Sequence, residues 1–294
     1  MYRCGGKNDE VSVAIPTDLD SALAALAAEP GALVLAGGTD AMVEVNAGMR
    51  RFESVVALRR VAELQQLTIA DGVLHLRAGV TYTRLLAPDV VAVAPALAHA
   101  ARTVGSPQIR NAGTIGGNLA TASPAGDTLP VLVALDAVVE LASASAGRRT
   151  LPVTELITGP KRTARRADEL LVGVRVPIVR GPQEYRKVGV RNAMVIAIAS
   201  VALVVDLDQR TVRVGLGSVG PVPLRAPDAE AWIAARLQWH DDDVSVAEAD
   251  DLARFGALVA EAARPIDDHR GTAAYRRHAV GVLATRCLRT AVTT

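Results

Sequence analysis

Two short segments contain adjacent glycines, which could form loops that bind phosphate groups. Residues 36–40 read AGGTD and residues 114–118 read TIGGN. Because glycine has no side chain, its backbone adopts positive φ and lets a ligand approach the N–H groups closely. Several converging N–H donors bind a diphosphate without any Lys or Arg. The hydroxyls of Thr39 and Thr114 and the amide of Asn118 would add directional hydrogen bonds, so the two loops together predict a site for a diphosphate-containing ligand.

Each loop alone is weak evidence, because a Gly-Gly pair between two elements is most often an ordinary tight turn. Neither loop has the G-x-G-x-x-G spacing of Rossmann folds or the G-x-x-x-x-G-K-[ST] spacing of P-loops, so those nucleotide folds are not predicted. The second loop lies in a long polar stretch, GSPQIRNAGTIGGNLATASPAG, over residues 105–126. Loops of this length without secondary structure are uncommon inside compact domains unless they are functional. The pairing of the loops therefore favours a ligand site.

The elements around these loops mix strands and helices. Thr17 and Asp20 have capping-box spacing at the start of a helix over 17–28, and Asp71-Gly72 between two alternating runs predicts a hairpin over 67–78. Pro88 and Pro95 are expected to interrupt the helical pattern of residues 81–103. The other expectations for this part are strands at 32–35 and 55–58, a helix at 127–135 and an extended segment at 137–142.

The pattern changes after residue 177. Strands are expected at 185–190, 195–206 and 212–218, and helices near 226–236, 246–263 and 272–290. Strands followed by helices indicate a separate α+β unit. The expected division is a first lobe at 1–55, a second lobe at 56–177, and a C-terminal α+β domain with a three-stranded antiparallel sheet at 178–294.

Composition excludes several functions. The formal net charge is +1, from 32 basic and 31 acidic residues, which leaves no electrostatic signature for nucleic acid. The two cysteines, Cys4 and Cys287, are too few for an iron–sulfur cluster, which takes about four thiolates. The longest apolar run, at 193–205, falls short of the roughly 18 residues of a membrane span, and the N-terminus lacks the apolar core of a signal peptide. A cytoplasmic protein without a membrane span is expected, and no metal site is predicted.

Three segments in order, AGGTD, RNAGTIGGNLATASPAGD and YRKVGVRNAM, resemble the FAD-binding (medium) subunit of molybdenum hydroxylases of the xanthine dehydrogenase and carbon monoxide dehydrogenase type. The C-terminal DDHRGTAAYRRHAVGVL is also similar to the end of that family. The resemblance covers about residues 11–290. It implies an α+β fold: a two-lobed FAD-binding domain of the vanillyl-alcohol-oxidase (PCMH) type, then a smaller domain of antiparallel sheet plus helices.

The same resemblance implies FAD as the cofactor of this chain. Residues 34–41 and 114–118 would wrap its diphosphate, and Asp127 would bond its ribityl or ribose side. Val104 would make an apolar contact where animal relatives carry an aromatic residue, and Leu171 and Lys187 would approach the flavin. The complete set is Val34, Leu35, Ala36, Gly37, Gly38, Thr39, Asp40, Ala41, Val104, Thr114, Ile115, Gly116, Gly117, Asn118, Asp127, Leu171 and Lys187, with no catalytic residue. Two simpler interpretations stay open: Asp127 as a helix cap, and Lys187 as a solvated strand residue.

The family likeness also implies partners. A large subunit would carry the molybdenum–pterin centre, a small subunit two [2Fe–2S] clusters, and two such heterotrimers would pair. Electrons would reach the FAD and leave to NAD⁺, a quinone or another carrier. The alternatives are a self-contained flavin oxidase or reductase of the vanillyl-alcohol-oxidase type and a binding protein that has lost FAD. Members of the former often tether FAD through His or Cys, and neither glycine loop contains either residue.

Overall fold

The computed structural model describes residues 11–49, 51–246 and 248–292. The strands are β1 (Ser12–Ala14), β2 (Leu33–Leu35), β3 (Ser54–Ala57), β4 (Leu67–Ala70), β5 (Val73–Arg77), β6 (Val138–Ser143), β7 (Gly147–Pro152), β8 (Ile157–Gly159), β9 (Arg162–Thr163), β10 (Leu170–Pro177), β11 (Gln183–Val188), β12 (Ala199–Asp206), β13 (Thr211–Gly217), β14 (Leu224–Arg225), β15 (Leu237–Trp239) and β16 (Val244–Val246). The α-helices are α1 (Leu19–Ala28), α2 (Ala41–Asn46), α3 (Pro88–Val93), α4 (Pro95–Thr103), α5 (Pro107–Ala112), α6 (Ile115–Thr121), α7 (Leu129–Ala134), α8 (Val153–Leu156), α9 (Pro227–Ala234), α10 (Ala249–Ala262) and α11 (Ala273–Ala291). Short 3₁₀ turns occupy Leu58–Arg60, Ala62–Gln65 and Arg84–Leu86.

The first sheet is parallel, with strand order β1-β3-β2. Helix α1 covers it and buries Leu19, Leu23 and Leu26. The predicted cap at Thr17 is wrong by one residue: the Asp18 carboxylate accepts a 2.8 Å hydrogen bond from the Ser21 N–H, because the backbone of Asp18 is extended. The first glycine loop leaves the end of β2 and leads into α2.

The second sheet has the order β4-β5-β10-β6-β7 and is antiparallel. The predicted hairpin is confirmed. Asp71 and Gly72 form the turn between β4 and β5, with φ of 51° and 72°. Positive φ at both residues lets a two-residue turn match the right-handed twist of the strands. The expected helix at 127–135 and strand at 137–142 are also confirmed, as α7 and β6.

The helical segments between these strands agree with the prediction up to residue 103 and differ from it beyond. Pro88 and Pro95 interrupt the helical pattern of residues 81–103 as expected, because each lies in the first turn of a new helix, α3 or α4, where a missing N–H costs nothing. Pro107 begins α5 in the same way. Residues 105–126 were expected to lack secondary structure, and that expectation is wrong. Ser106 and Thr114 cap α5 and α6 with their hydroxyls, which lets two short helices form within this polar stretch.

The C-terminal part contains an antiparallel sheet of order β11-β12-β13-β14. The sequence predicts three strands; the short β14 adds a fourth by pairing with β13. Every residue of β12 is buried, which confirms that the longest apolar run contains a strand of the core. The three expected helices are present as α9, α10 and α11, and they enclose a second hydrophobic core on this sheet.

Helix α7 joins the first part to this sheet. All six of its residues are buried, and it packs so closely on β13 that a Cβ on Gly215 would lie 1.8 Å from the Pro130 carbonyl oxygen. The expected lobe boundary at residue 55 falls inside β3, which completes the first sheet. The expected boundary near 178 lies between β10 and β11. Across the described ranges, no helix has both the length and the hydropathy that crossing a bilayer requires.

Candidate cofactor cavity

A cavity of about 980 Å³ opens between the two glycine loops and the second sheet. Cofactor and ligand sites range over roughly 300–1,000 Å³, so this volume suits a large cofactor. Most of the residues that the sequence assigned to FAD line it: Val34, Leu35, Ala36, Gly37, Gly38, Thr39, Asp40, Ala41, Thr114, Gly116, Gly117, Asn118 and Leu171.

The two glycine loops meet at Gly37. A Cβ on Gly37 would lie 1.8 Å from the Ala112 carbonyl oxygen and 3.0 Å from the Gly113 nitrogen. Only glycine permits this approach, because any side chain would collide with the backbone at the end of α5. Gly113 directly precedes Thr114, so the close packing brings the distant sequence motifs to one wall of the cavity.

The first loop presents unused hydrogen-bond donors. The N–H groups of Gly37, Gly38, Thr39 and Asp40 have no acceptor within the described part of the chain. Gly38 has a φ of 72°, the left-handed conformation that turns successive N–H groups toward an anion. Consecutive N–H donors without partners beside a cavity are costly unless water or a ligand accepts from them. The loop therefore fits the diphosphate of FAD.

The second loop is different, because its donors bond within the protein. Ile115 N donates to the Val80 carbonyl at 2.9 Å, Gly116 N to the Ala78 carbonyl at 2.9 Å, and Gly117 N to the Thr114 hydroxyl at 3.0 Å. This loop thus supplies a fixed surface of small residues to the cavity, and its structure depends on contacts with the end of β5.

The two glycines of this loop serve different purposes. A Cβ on Gly116 would lie 2.5 Å from the Ala78 Cβ, so Gly116 is small because α6 packs on the segment that follows β5. A Cβ on Gly117 would meet only the Thr114 hydroxyl, at 3.1 Å. Gly117 is therefore the position where an added side chain would occupy cavity space rather than protein.

The polar side chains of the second loop also hold the protein together. The Thr114 hydroxyl caps α6. The Asn118 side-chain oxygen accepts a hydrogen bond from the buried Thr128 hydroxyl. Both residues line the cavity, yet these bonds show that part of their polar capacity fixes the short helices around it.

Asp127 and Lys187 form a buried ion pair outside the cavity lining. The Lys187 Nζ lies 2.7 Å from Asp127 Oδ2, and it also donates to the carbonyls of Thr103 at 2.9 Å and Val195 at 3.1 Å. Tyr185 is fully buried and donates its hydroxyl to Asp127 Oδ1 at 2.9 Å. Burial raises the pKa of Asp127, while the bonds from Lys187 and Tyr185 oppose that effect. The cluster joins the end of α4, the segment before α7 and β11.

Both simpler interpretations of this pair are wrong. The cap position of α7 is Thr128, and the Asp127 carboxylate bonds Lys187 and Tyr185 instead of the helix N–H groups. The Lys187 side chain is 9% exposed and its ammonium has three acceptors, so it is not a solvated strand residue.

Val104 and Ile115 also lie outside the cavity lining. Ile115 is fully buried in the core. Val104 is half-buried, and its carbonyl, together with that of Gly105, accepts hydrogen bonds from the Arg110 guanidinium at 3.0 and 2.9 Å. Arg110 thereby fixes the segment that follows α4.

The sequence motifs missed several cavity residues. Tyr82 lines the wall beside the second loop, and Glu169 directly precedes β10. Glu169 is 2% exposed and binds Arg149 through Nε at 2.6 Å and Nη2 at 2.9 Å. This hydrogen-bonded pair holds the pKa of Glu169 below its ordinary value. Isolated residues of this kind leave no motif, since tertiary folding alone brings them together.

Comparison with known families agrees with this geometry. Residues 9–179 match the family described as the FAD binding domain in molybdopterin dehydrogenase. Residues 183–291 match the CO dehydrogenase flavoprotein C-terminal domain. The two matches together cover both core regions of the structure.

Individual relatives match along nearly the whole chain. The glyceraldehyde dehydrogenase medium chain of Sulfolobus acidocaldarius is 31% identical over 284 residues, which is 95% of this chain and 98% of that one. The nicotine 6-hydroxylase medium subunit of Paenarthrobacter nicotinovorans is 30% identical and covers 95% of this chain and 96% of its own.

Among solved structures, a carbon monoxide dehydrogenase from Hydrogenophaga pseudoflava that lacks the Mo-pyranopterin moiety of its cofactor matches with a TM-score of 0.86. The two chains are 27% identical, and the match covers 96% of each. The likeness extends over the cavity, both cores and the helices of the C-terminal part.

Proposed function

This chain belongs to the FAD-binding medium subunits of molybdenum hydroxylases, and we propose that it relays electrons from iron–sulfur clusters on a partner chain to an external acceptor. It is an oxidoreductase subunit with FAD as its cofactor. The proposed source of electrons is a large partner subunit with a molybdenum–pterin centre, and a small partner subunit with two [2Fe–2S] clusters conducts them. The acceptor is NAD⁺, a quinone or another carrier.

The observation that carries the cofactor assignment is the set of four unpartnered N–H groups at Gly37, Gly38, Thr39 and Asp40, beside a cavity of about 980 Å³. We assign these donors to the FAD diphosphate. Gly117 would leave room for the cofactor in the cavity, and Leu171 would contact it from β10. FAD supplies the electron-carrying chemistry when bound, and the chain binds and orients it.

The buried cluster acts less directly in this proposal. Lys187 holds the Thr103 carbonyl, and Arg110 holds the next two, so the position of Val104 is set from two sides. Val104 would then offer a fixed apolar surface to the flavin ring. Asp127 and Lys187 would place a nearly neutral ion pair behind that surface. Ile115 would support the second loop from the core.

The cysteine content supports partner chains as the site of the iron–sulfur clusters. The chain contains only two cysteines. Of these, Cys287 is fully buried in the C-terminal core, and Cys4 lies outside the described residues. Because an iron–sulfur cluster takes about four thiolates, the clusters of this proposal would belong to another chain. The assembly that we propose is a pair of heterotrimers. Within this chain, the proposed units are the lobes at 1–55 and 56–177 and the domain at 178–294.

Purification of a tagged chain from its own host tests the assembly. We expect two further subunits, one molybdenum and about four irons per FAD, and a mass equal to two heterotrimers by light scattering. A flavin-containing chain that purifies alone and oxidises an alcohol substrate would favour the self-contained oxidase instead.

The electron path needs a second experiment on the same complex. Removal of FAD by mild chaotrope should leave substrate able to bleach the iron–sulfur absorbance, while reduction of the external acceptor stops. Added FAD should restore reduction of the acceptor. If acceptor reduction continues without FAD, the chain does not relay the electrons.

A further inference from the structure

Tyr82 has a hydroxyl without a partner at the wall of the cavity. The residue is 5% exposed and lines the cavity. Its backbone N–H donates to the Gly113 carbonyl at 3.1 Å, and its ring packs so closely that a Cβ on Gly113 would lie 2.8 Å from Cε2. The ring is therefore fixed, and the hydroxyl cannot turn away to find bulk water.

No acceptor or donor in the described part of the chain bonds this hydroxyl. The hydroxyl oxygen is also not among the buried atoms that are sealed from solvent, so its accessible side opens into the cavity. Buried polar groups in folded proteins are nearly always hydrogen-bonded. Tyr185 illustrates the rule, since its fully buried hydroxyl bonds Asp127 at 2.9 Å. Tyr82 is the exception that a bound ligand would resolve.

The surroundings of Tyr82 indicate that its hydroxyl is a donor. Burial, Asp40 and Asp127 all raise the pKa of Tyr82, so the phenol stays protonated. Its ring packs on Gly113, and Gly113 also lies against Gly37 of the first glycine loop. Tyr82 thus lies beside the contact that joins the two glycine loops.

We propose that Tyr82 is an FAD-binding residue whose hydroxyl donates a hydrogen bond to an oxygen of the cofactor's diphosphate or ribityl chain. The bond rests on the FAD-binding role proposed above for this cavity. Both the diphosphate and the ribityl chain carry oxygens that can accept a hydrogen bond from a phenol.

The test is Tyr82→Phe in the full-length chain, because phenylalanine retains the ring that packs on Gly113. We expect the dissociation constant for FAD, measured by quenching of flavin fluorescence, to rise about tenfold, the usual effect of losing one hydrogen bond to a ligand. The melting temperature without FAD should stay unchanged, since no protein bond is lost. The matched control is Tyr275→Phe, at an exposed position, which should change neither quantity.

Smaller ligands locate the acceptor. An effect of Tyr82→Phe on ADP binding assigns the bond to the diphosphate, while an effect on FMN and riboflavin but not ADP assigns it to the ribityl chain. The wild-type chain can also be labelled with 3-fluorotyrosine, and its fluorine NMR resonances assigned with Phe variants at the other tyrosines. The resonance of Tyr82 should move when FAD is added.

Equal FAD affinity of wild type and Tyr82→Phe, with an unmoved Tyr82 resonance, would overturn the inference. That result is distinct from failure of the proposed function, in which the wild-type chain itself would not bind FAD.

Discussion

Substitution of Lys187 by methionine probes the buried cluster most sharply. Methionine retains the apolar stem but removes the ammonium, which lies 2.7 Å from Asp127 and also bonds two carbonyls. The Asp127 side chain is 8% exposed, so its carboxylate would be left buried without a counter-charge. Breaking such a pair from one side costs about 3–5 kcal/mol. Because unfolding entropy is about 2.1 cal/mol/K per residue, that loss should lower the melting temperature of this chain by roughly 5–8 °C.

A double-mutant cycle isolates the pair. Free energies of unfolding from urea titrations would be compared for wild type, Lys187→Met, Asp127→Asn and the double variant. The double variant removes both charges, so its loss should fall short of the sum of the single losses by about 2 kcal/mol or more. The control pair is Arg84 and Asp89, which meet at 2.6 Å on the surface and should show almost no coupling.

Two outcomes would contradict a stabilising ion pair between Lys187 and Asp127. One is a Lys187→Met variant as stable as wild type, which would mean that the carboxylate is solvated or protonated in the folded chain. The other is coupling between Lys187 and Asp127 no larger than that between Arg84 and Asp89. Either result would remove the cluster as the link that fixes α4 and α7 against β11.

Three further predictions concern the cavity and the core. Gly116→Val should fail to fold stably, because the added side chain would collide with the Ala78 segment. Gly117→Val should fold with a wild-type circular dichroism spectrum but purify without flavin, and full FAD content in this variant would contradict the assignment of the cavity to FAD. Glu169→Gln should destabilise the chain at neutral pH. Because the pKa of Glu169 is depressed, its stabilisation is complete above its ordinary value of about 4.5 and is lost as pH falls below that value, so the difference from wild type in urea titrations should shrink there. A constant difference would contradict the ion pair. Burial raises the pKa of Cys287 to about 12, so in a Cys4→Ser background its thiol should react with a disulfide reagent at pH 8 only after unfolding, and rapid reaction of the native chain would show an open core.

Local patterns were enough to predict much of the fold. The Asp71-Gly72 hairpin, the buried strand β12 and the three C-terminal helices each carry their signal within a few residues, so the sequence alone predicts them. The errors came from local signals that compete. In residues 105–126, glycine, proline and serine indicated a loop, but Ser106 and Thr114 use their hydroxyls as caps and start helices there.

The cavity was predictable only in part. The glycine loops carry their own signal, and the structure brings both to one wall through Gly37 and Ala112. Which donors are free was not predictable, because the bonds of Ile115 and Gly116 to the Val80 and Ala78 carbonyls depend on tertiary packing. The family resemblance pointed to Asp127 and Lys187 as residues of interest, but their pairing with each other was visible only in three dimensions.

The same holds for residues without a motif. Nothing in the sequence distinguishes Tyr82 from an ordinary packing tyrosine, and its significance comes from a fixed ring and an unpartnered hydroxyl at the cavity wall. Glu169 and Arg149 are likewise joined only by the pairing of distant segments.

Titration of the purified, flavin-free chain with FAD shows whether the cavity binds this cofactor. We expect saturable binding of one FAD per chain, seen as quenched flavin fluorescence and a shifted flavin absorbance band, with binding abolished in Gly117→Val. A wild-type chain that stays colourless after incubation with excess FAD, while its circular dichroism shows it to be folded, would contradict the assignment of the cavity to FAD.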